Sequence, residues 1–191
     1  MEKRLRALGA PRARRILDYG CGTGETTLEL ASRFPEARVE GVDSSASLVA
    51  ASRRLGGRCE FHELGKMPEG ASGYDLAYCN GVFHHVPVAD RAAALGWIWE
   101  RMAGGGYFAL WENNAWHPGA RWVMKRIPFD RDAVPVSPRE AARMVRRAGF
   151  EIAAIDYAFV FPRPLRALRP AEPYLSKLPL GAQYQVLCRK G

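Results

Sequence analysis

Arg15-Ile16-Leu17-Asp18-Tyr19-Gly20-Cys21-Gly22-Thr23-Gly24-Glu25 opens as a short apolar strand, passes an acid, and then alternates three glycines with other residues before a helical pattern begins. Glycines at this spacing let the backbone approach a ligand closer than a Cβ would permit. The next apolar run, Arg38-Val39-Glu40-Gly41-Val42, closes on Asp43, where a carboxylate can accept both hydroxyls of a ribose. Together these residues describe a pocket for a nucleoside-containing cofactor.

The dinucleotide fingerprint G-x-G-x-x-G seats a pyrophosphate on a helix N-terminus. Here the glycines are Gly20, Gly22 and Gly24, and Glu25 stands where the third dinucleotide glycine would. An acid there repels a pyrophosphate, whereas Asp18, two residues before Gly20, suits a cationic ammonium group. The stretch resembles the first motif of class I S-adenosylmethionine-dependent methyltransferases. The resemblance implies that Asp18, Gly20, Cys21, Gly22 and Gly24 surround the methionine part of S-adenosyl-L-methionine. Asp43 then takes the ribose hydroxyls and Ser44 lies beside the adenine.

Outward from this loop, short apolar strands alternate with helical patterns, which predicts a parallel α/β sheet. Strands are expected near 15–19, 38–43, 58–61, 74–80, 105–112, 151–160 and 182–189, and helices near 25–34, 45–55, 89–102 and 137–148. Ser137, Pro138 and Glu140 mark the last helix start as a capping box, and Gly149 marks its end. The ending resembles that of class I methyltransferases, whose last strand inserts antiparallel beside the sixth. The implied fold is a Rossmann-like seven-stranded, mostly parallel sheet with an antiparallel last strand and helices on both faces. One domain over 1–191 is expected, with a short basic helix over 1–14 and substrate-side insertions at 113–136 and 162–180.

Cys59-Glu60-Phe61-His62-Glu63-Leu64-Gly65-Lys66-Met67-Pro68 resembles the family segment whose acid contacts the adenine amino group, which assigns Glu63 and Leu64 to the cofactor, with a one-residue slip to His62 open. Tyr74–Asn80 runs into Gly81-Val82-Phe83-His84-His85-Val86, the family segment between cofactor and acceptor, with Asn80 nearest the sulfonium. The N/D-P-P-Y/F motif of adenine-N6 enzymes and the Pro-Cys nucleophile of cytosine-C5 enzymes are both missing from that position. His84 and His85 are candidate bases because histidine titrates near neutral pH. No metal site is expected, since adjacent histidines rarely point at one centre. Trp111-Glu112-Asn113-Asn114-Ala115-Trp116-His117-Pro118 resembles E-[HN]-N-P-x-N-P of a small-methyltransferase subgroup of the ubiquinone/menaquinone-biosynthesis-like type. That subgroup also carries F-D-x-D-A-V, A-G-F, F-P-R and P-L-G-A-Q-Y, here at 129–134, 148–150, 161–163 and 179–184. Glu112, at the carboxyl edge of a strand, is the preferred base candidate. Asn113 and His117 are expected at the pocket mouth, where Trp111, Trp116 and Trp122 either line it or pack helix on sheet.

The 191 residues carry a net charge of +8, unevenly placed. Residues 1–15, 121–147 and 160–191 are each strongly basic, and the remainder is acidic. A basic rim attracts nucleic acid, an anionic membrane surface or an anionic substrate. No apolar run approaches the about 20 residues that span a bilayer, and no secretory signal is visible. Cys21, Cys59, Cys79 and Cys188 show no paired spacing and read as reduced thiols, with a cytoplasmic location and peripheral contact at the inner membrane surface as expectations. With a short segment before the first strand, a roof over the acceptor is expected from 113–136, from 162–180, from the N-terminal helix or from a partner. The second segment combines Leu165, Leu168, Leu175 and Leu178 with Arg163, Arg166, Arg169 and Lys177, a basic amphipathic pattern suited to an anionic membrane. The sequence therefore reads as a methyltransferase using direct, metal-free in-line transfer to a small or lipid-linked acceptor, with nucleic acid disfavoured as a partner. It fixes neither the acceptor nor the oligomeric state. An RNA methyltransferase and a non-catalytic cofactor-binding scaffold stand as alternatives.

Overall fold

The computed structural model describes residues 13–55, 57, 59–127, 130 and 133–191. The expected helix over 1–14 therefore falls almost wholly outside the described residues, as does half of the motif at 129–134. Seven strands, β1 (Arg15–Tyr19), β2 (Arg38–Asp43), β3 (Cys59–Glu63), β4 (Tyr74–Asn80), β5 (Met102–Asn113), β6 (Phe150–Ala158) and β7 (Gln183–Lys190), form one sheet in the order β3-β2-β1-β4-β5-β7-β6. The sheet is mostly parallel, with the β5-β7-β6 edge antiparallel and helices around it, as the sequence predicts. By their contacts the described residues divide into two compact units, one lying within 13–79, 100–109 and 190, the other within 80–99, 110–189 and 191.

In the first unit β1 pairs in parallel with β2 and β4, and β2 with β3. A parallel strand covered on both faces needs a continuous apolar run, and Ile16, Leu17, Val39 and Val42 are fully buried. One exception lies in β2: Glu40 is buried, and its carboxylate is met by Arg15 at 3.2 Å and Arg38 at 3.3 Å. The start of β1 is pinned by Asp75, whose Oδ2 accepts from the backbone N–H groups of Arg14 and Arg15 at 2.8 and 2.9 Å. Helices α1 (Glu25–Arg33) and α2 (Ala46–Ser52) make the returns from β1 to β2 and from β2 to β3 that parallel pairing demands, and α2 is followed by a 3₁₀ turn over Arg53–Leu55.

The second unit contains α3 (Arg91–Arg101, in its greater part), α4 (Pro118–Met124), α5 (Pro138–Arg147) and α6 (Glu172–Leu175). Ser137 caps α5, its hydroxyl accepting from the Glu140 N–H at 3.2 Å. The reciprocal half of the expected capping box is replaced. Glu140 turns its carboxylate to Arg91 at 2.9 Å, because that guanidinium is itself buried and also donates to the carbonyls of Val134 and Val86. Helix α4, which the sequence reading left as an insertion, starts on His117 as N-cap with Pro118 at the first turn. The stretch Arg163–Ala171 is a kinked 3₁₀ segment, a form suited to prolines that deny a regular α ladder. Strand β6 stops at Ala158 rather than 160, because Phe159 adopts φ 58.

At Gly41, β2 passes close to the loop after β1, to Phe61 and to Thr27. A Cβ there would stand 2.9 Å from Cys21 Cβ, 2.9 Å from Phe61 Cδ1 and 3.0 Å from Thr27 Oγ1. Gly41→Ala should therefore cost about 1–3 kcal/mol through overpacking, read as a lower urea midpoint at unchanged slope.

Candidate active site

The loop after β1 is held by backbone bonds to β2: the N–H groups of Gly20 and Cys21 both donate to the Val42 carbonyl, at 2.8 and 3.0 Å. The chain then turns back on itself, the Gly24 N–H donating to the Cys21 carbonyl at 2.8 Å. Gly22 and Gly24 have φ of 53 and 90, angles that a side chain would strain, and nothing lies within 4 Å of the place a Gly22 Cβ would occupy. Helix α1 begins on Gly24 without a side-chain cap.

Two carboxylates flank this loop. Asp18 is buried, and its Oδ2 accepts from Thr27 Oγ1 at 2.7 Å, the one hydrogen bond to that side chain shown among the described residues. Burial pushes its carboxyl up to about 7, with the Thr27 bond working against the rise and the charge of Asp43 adding to it. Asp43 is oriented from both sides, Oδ2 accepting from the Gly22 N–H at 2.9 Å and Oδ1 from the Ser45 N–H at 2.8 Å. Each oxygen retains a lone pair for a ligand hydroxyl. The β2–β3 register sets Asp43 beside Glu63, which pairs with Lys66 at 2.9 Å. His62 lies instead 3.8 Å from Glu40 and 3.7 Å from Glu60, so by strand alternation it and Glu63 face opposite sides of the sheet. Leu64 opens a half-buried 3₁₀ turn, and Ser44 is exposed. Cys21 is buried against Val49 and Phe61, and burial pushes its thiol up to about 12, which marks it as packing rather than nucleophile.

In the second unit a different cluster forms around Glu112. This side chain has no exposed surface; Oε1 accepts from the Phe83 N–H at 2.7 Å and Oε2 meets His84 Nδ1 at 2.6 Å. The far ring nitrogen, His84 Nε2, lies 3.5 Å from Asp130 Oδ1, and His85 Nε2 lies 3.3 Å from the same oxygen. Burial works to lower the His84 imidazole, but the Glu112 bond and the charges of Glu112 and Asp130 together raise it. His85 is lowered, by burial first and by the neighbouring His84 second. The expectation that the adjacent histidines point apart is corrected here: both turn an Nε2 onto one carboxylate oxygen.

Asn80 ends β4 with an exposed side chain. Asn113 accepts from Gln183 Nε2 at 3.2 Å, and His117 is taken up in capping α4, its Nδ1 accepting from the Ala120 N–H at 3.0 Å. Asn114 is wholly buried, donating to the Gly181 carbonyl at 2.8 Å and accepting from the Trp116 N–H at 3.0 Å. Trp116 and Trp122 are exposed, and each carries a guanidinium on its face: Arg139 at 5.4 Å and Arg126 at 3.4 Å from the ring centroid. Thr27, Gly41 and Asp130 were not singled out from the sequence. Thr27 was legible in principle as a hydroxyl on the first turns of the helix after the glycines, whereas Asp130 carried only its place in a family motif.

Residues 16–106 match the family described as a methyltransferase domain. Trans-aconitate 2-methyltransferase of Deinococcus radiodurans is 40% identical over 96 residues, covering 50% of this chain and 36% of that protein. Its namesake in Mycobacterium ulcerans is 32% identical over 165 residues, covering 80% of this chain and 62% of that protein. The chain thus spans less than two thirds of these relatives. Its fold is shared with an S-adenosylmethionine-dependent methyltransferase structure from Archaeoglobus fulgidus (TM-score 0.69, 18% identity, 99% of this chain and 92% of that one). Another, from Mesorhizobium loti, gives a TM-score of 0.67 at 22% identity, over 97% of this chain and 95% of that one.

The residues present fit this cofactor. Asp18, with a single neutral donor shown among the described residues, and Asp43, with lone pairs left on both oxygens, are carboxylates of the kind that an ammonium group and a diol would need. Because the folded-state carboxyl of Asp18 lies above its unfolded value of 3.8, its burial favours the folded chain at low pH, and that contribution is lost as pH rises towards about 7. Asp18→Asn should therefore stabilise the ligand-free protein above pH 7, on the order of a few kcal/mol relative to acid pH, while removing S-adenosylhomocysteine binding. For the unaltered chain, calorimetry should show affinity falling about tenfold per pH unit below the Asp18 pKa.

Proposed function

We propose that this chain, a class I S-adenosylmethionine-dependent methyltransferase, transfers a methyl group to a small molecule bearing a carboxylate. The observation that carries the donor side is the buried Asp18 carboxylate beside the glycine loop, which has no cationic partner among the described residues and calls for one. When bound, S-adenosylmethionine supplies a methyl group on a sulfonium, open to direct in-line displacement. Asp18 would hold the amino group, Asp43 the ribose hydroxyls, Glu63 and Leu64 the adenine end, and the backbone of Gly20–Gly24 the methionine part.

The acceptor class rests on two supports. The relatives named above act, by their names, on trans-aconitate, a carboxylate. In this chain, Arg126 and Arg139 lie on tryptophan faces. Stacking engages the face of a guanidinium and leaves its N–H edge free to grip a carboxylate in bidentate fashion. A carboxylate is already ionised at neutral pH, so its oxygen asks for no base. That agrees with Glu112 and His84, whose groups are committed to one another and to the Phe83 N–H; their role is to fix the 83–85 segment. Displacement at a sulfonium then draws on positioning, which can supply about 7–11 kcal/mol without a metal in the bond-making step.

A lipid-linked acceptor at an anionic surface is the second reading, favoured by exposed Leu165, Leu168 and Leu178 beside Arg163 and Arg166. Its cationic strip is narrower than the sequence implies, since Lys177 pairs with Asp156 at 2.7 Å and Arg169 donates to the Phe161 carbonyl. No helix among the described residues is long and apolar enough to cross a membrane.

Incubation with labelled S-adenosylmethionine and a panel of small carboxylic acids should yield a base-labile methyl ester. Arg126→Gln and Arg139→Gln should each raise KM about tenfold with kcat nearly unchanged, the loss of one charge-assisted contact. Label appearing in RNA instead would sink the carboxylate reading, and cofactor binding without turnover on any acceptor would favour the scaffold. On the second reading, anionic vesicles should sediment the protein and release it in the Arg163→Gln/Arg166→Gln double variant; no sedimentation excludes that surface.

A further inference from the structure

We propose that His84, His85 and Asp130 form a site for a divalent transition metal, zinc by its donor set. The three groups offer two imidazole Nε2 atoms and one carboxylate Oδ1, and these ligand atoms all lie within 4.8 Å of one another. The edges from Asp130 Oδ1 are 3.5 Å to His84 and 3.3 Å to His85. Ligands about 2.0–2.1 Å from a tetrahedral zinc stand roughly 3.3–3.4 Å apart, so both edges match the spacing that the ion would impose.

A second observation points the same way. A metal-binding histidine commonly donates its other ring N–H to a carboxylate, which fixes the tautomer and aims the free lone pair. His84 meets that condition, with Nδ1 2.6 Å from the buried Glu112 Oε2 and Nε2 turned to Asp130. The ring cannot swing away, since Glu112 also holds the Phe83 N–H and the His84 carbonyl accepts from the Val134 N–H at 2.9 Å. His85 stacks at 4.1 Å between ring centroids, tilted by 47°, which lets neighbouring residues direct their Nε2 atoms to one point.

The other grouping of such residues, Glu40, Glu60 and His62, lacks this character. Its carboxylates are already neutralised by Arg15 and Arg38, at 2.8–3.3 Å. Around Asp130 no Lys or Arg is paired among the described residues. Three protein ligands leave a fourth position open, the pattern of sites that take water or an oxygen-bearing ligand rather than of closed structural sites.

The test is made on the ligand-free, full chain and so does not depend on the methyl-transfer reading. Metal analysis after zinc loading and desalting should give one zinc per chain, and cobalt loading should give the intense visible absorption of a four-coordinate ion. In chelator competition, Asp130→Asn and His85→Gln should each weaken zinc binding about a hundredfold, and Glu112→Gln, acting through His84, about 10–100-fold. Asp130→Asn keeps the shape of a side chain that is only 9% exposed, and His85 is about a quarter exposed, so circular dichroism and the thermal midpoint of those two variants should match the parent. Substoichiometric zinc at saturation, or zinc affinity unchanged in both folded variants, would overturn the proposal.

Discussion

The constraint on which the first unit turns is that Asp18 sits in a place where its charge is poorly tolerated. A carboxylate loses several kcal/mol of hydration on burial unless partners restore it. Thr27 restores part, through one hydroxyl, and the remainder appears as a carboxyl pushed up to about 7. The surrounding chain is arranged so that this carboxylate cannot retreat. Gly20 and Cys21 tie the loop to Val42, Gly41 lets the loop close on β2, and Asp43 fastens the Gly22 N–H. Under the proposed function this cost would be offset when the cofactor's ammonium group arrives, so that a stability deficit becomes binding affinity.

Three buried carboxylates in this chain show how the partner decides the role. Glu40 is met by two guanidinium groups and has become scaffold. Glu112 is met by a backbone N–H and an imidazole, and has become an orienting group that fixes His84. Among the described residues Asp18 is met by a neutral hydroxyl alone, and it is the one to which the proposed function gives a charged ligand. Burial by itself would have grouped them together. The donor set separates them.

The same contrast explains what the sequence could disclose. The glycine loop and Asp43 are legible because their roles depend on chain neighbours: a strand, a turn, a helix start and the next strand's end. The alternation of strands and helices is legible for the same reason. Asp130 and Arg91 are not, since each acts on residues tens of positions away, and a pattern of types along the chain does not encode that meeting. Glu140 shows the competition directly. Its spacing from Ser137 is right for a reciprocal cap, yet the buried Arg91 takes its carboxylate, because an unpaired guanidinium in the interior costs more than an unbonded N–H at a helix start. Prolines at 162, 164 and 170 likewise mark the segment after β6 as irregular without revealing a 3₁₀ path.

The excess of positive charge gains a different meaning once its partners are known. Arg15 and Arg38 are used on Glu40, Arg33 on Glu29, Arg91 on Glu140 and two carbonyls, and Arg53 on the Phe61 carbonyl. These cations are paired within the fold, although Arg33 and Arg38 keep over half of their side chains exposed. The second unit also turns Arg121, Lys125, Arg143, Arg146, Arg147, Arg163 and Arg166 outward; set apart from these are the guanidinium groups laid on Trp116 and Trp122, whose planes fix the direction in which each N–H edge points. A nucleic-acid surface needs many phosphate contacts spread along a track, and its affinity grows with their number. A small carboxylate needs one or two well-oriented guanidinium edges, because bidentate geometry replaces number. The support for the carboxylate acceptor of the proposed function is therefore the orientation of the two stacked guanidinium groups, not the quantity of exposed positive charge.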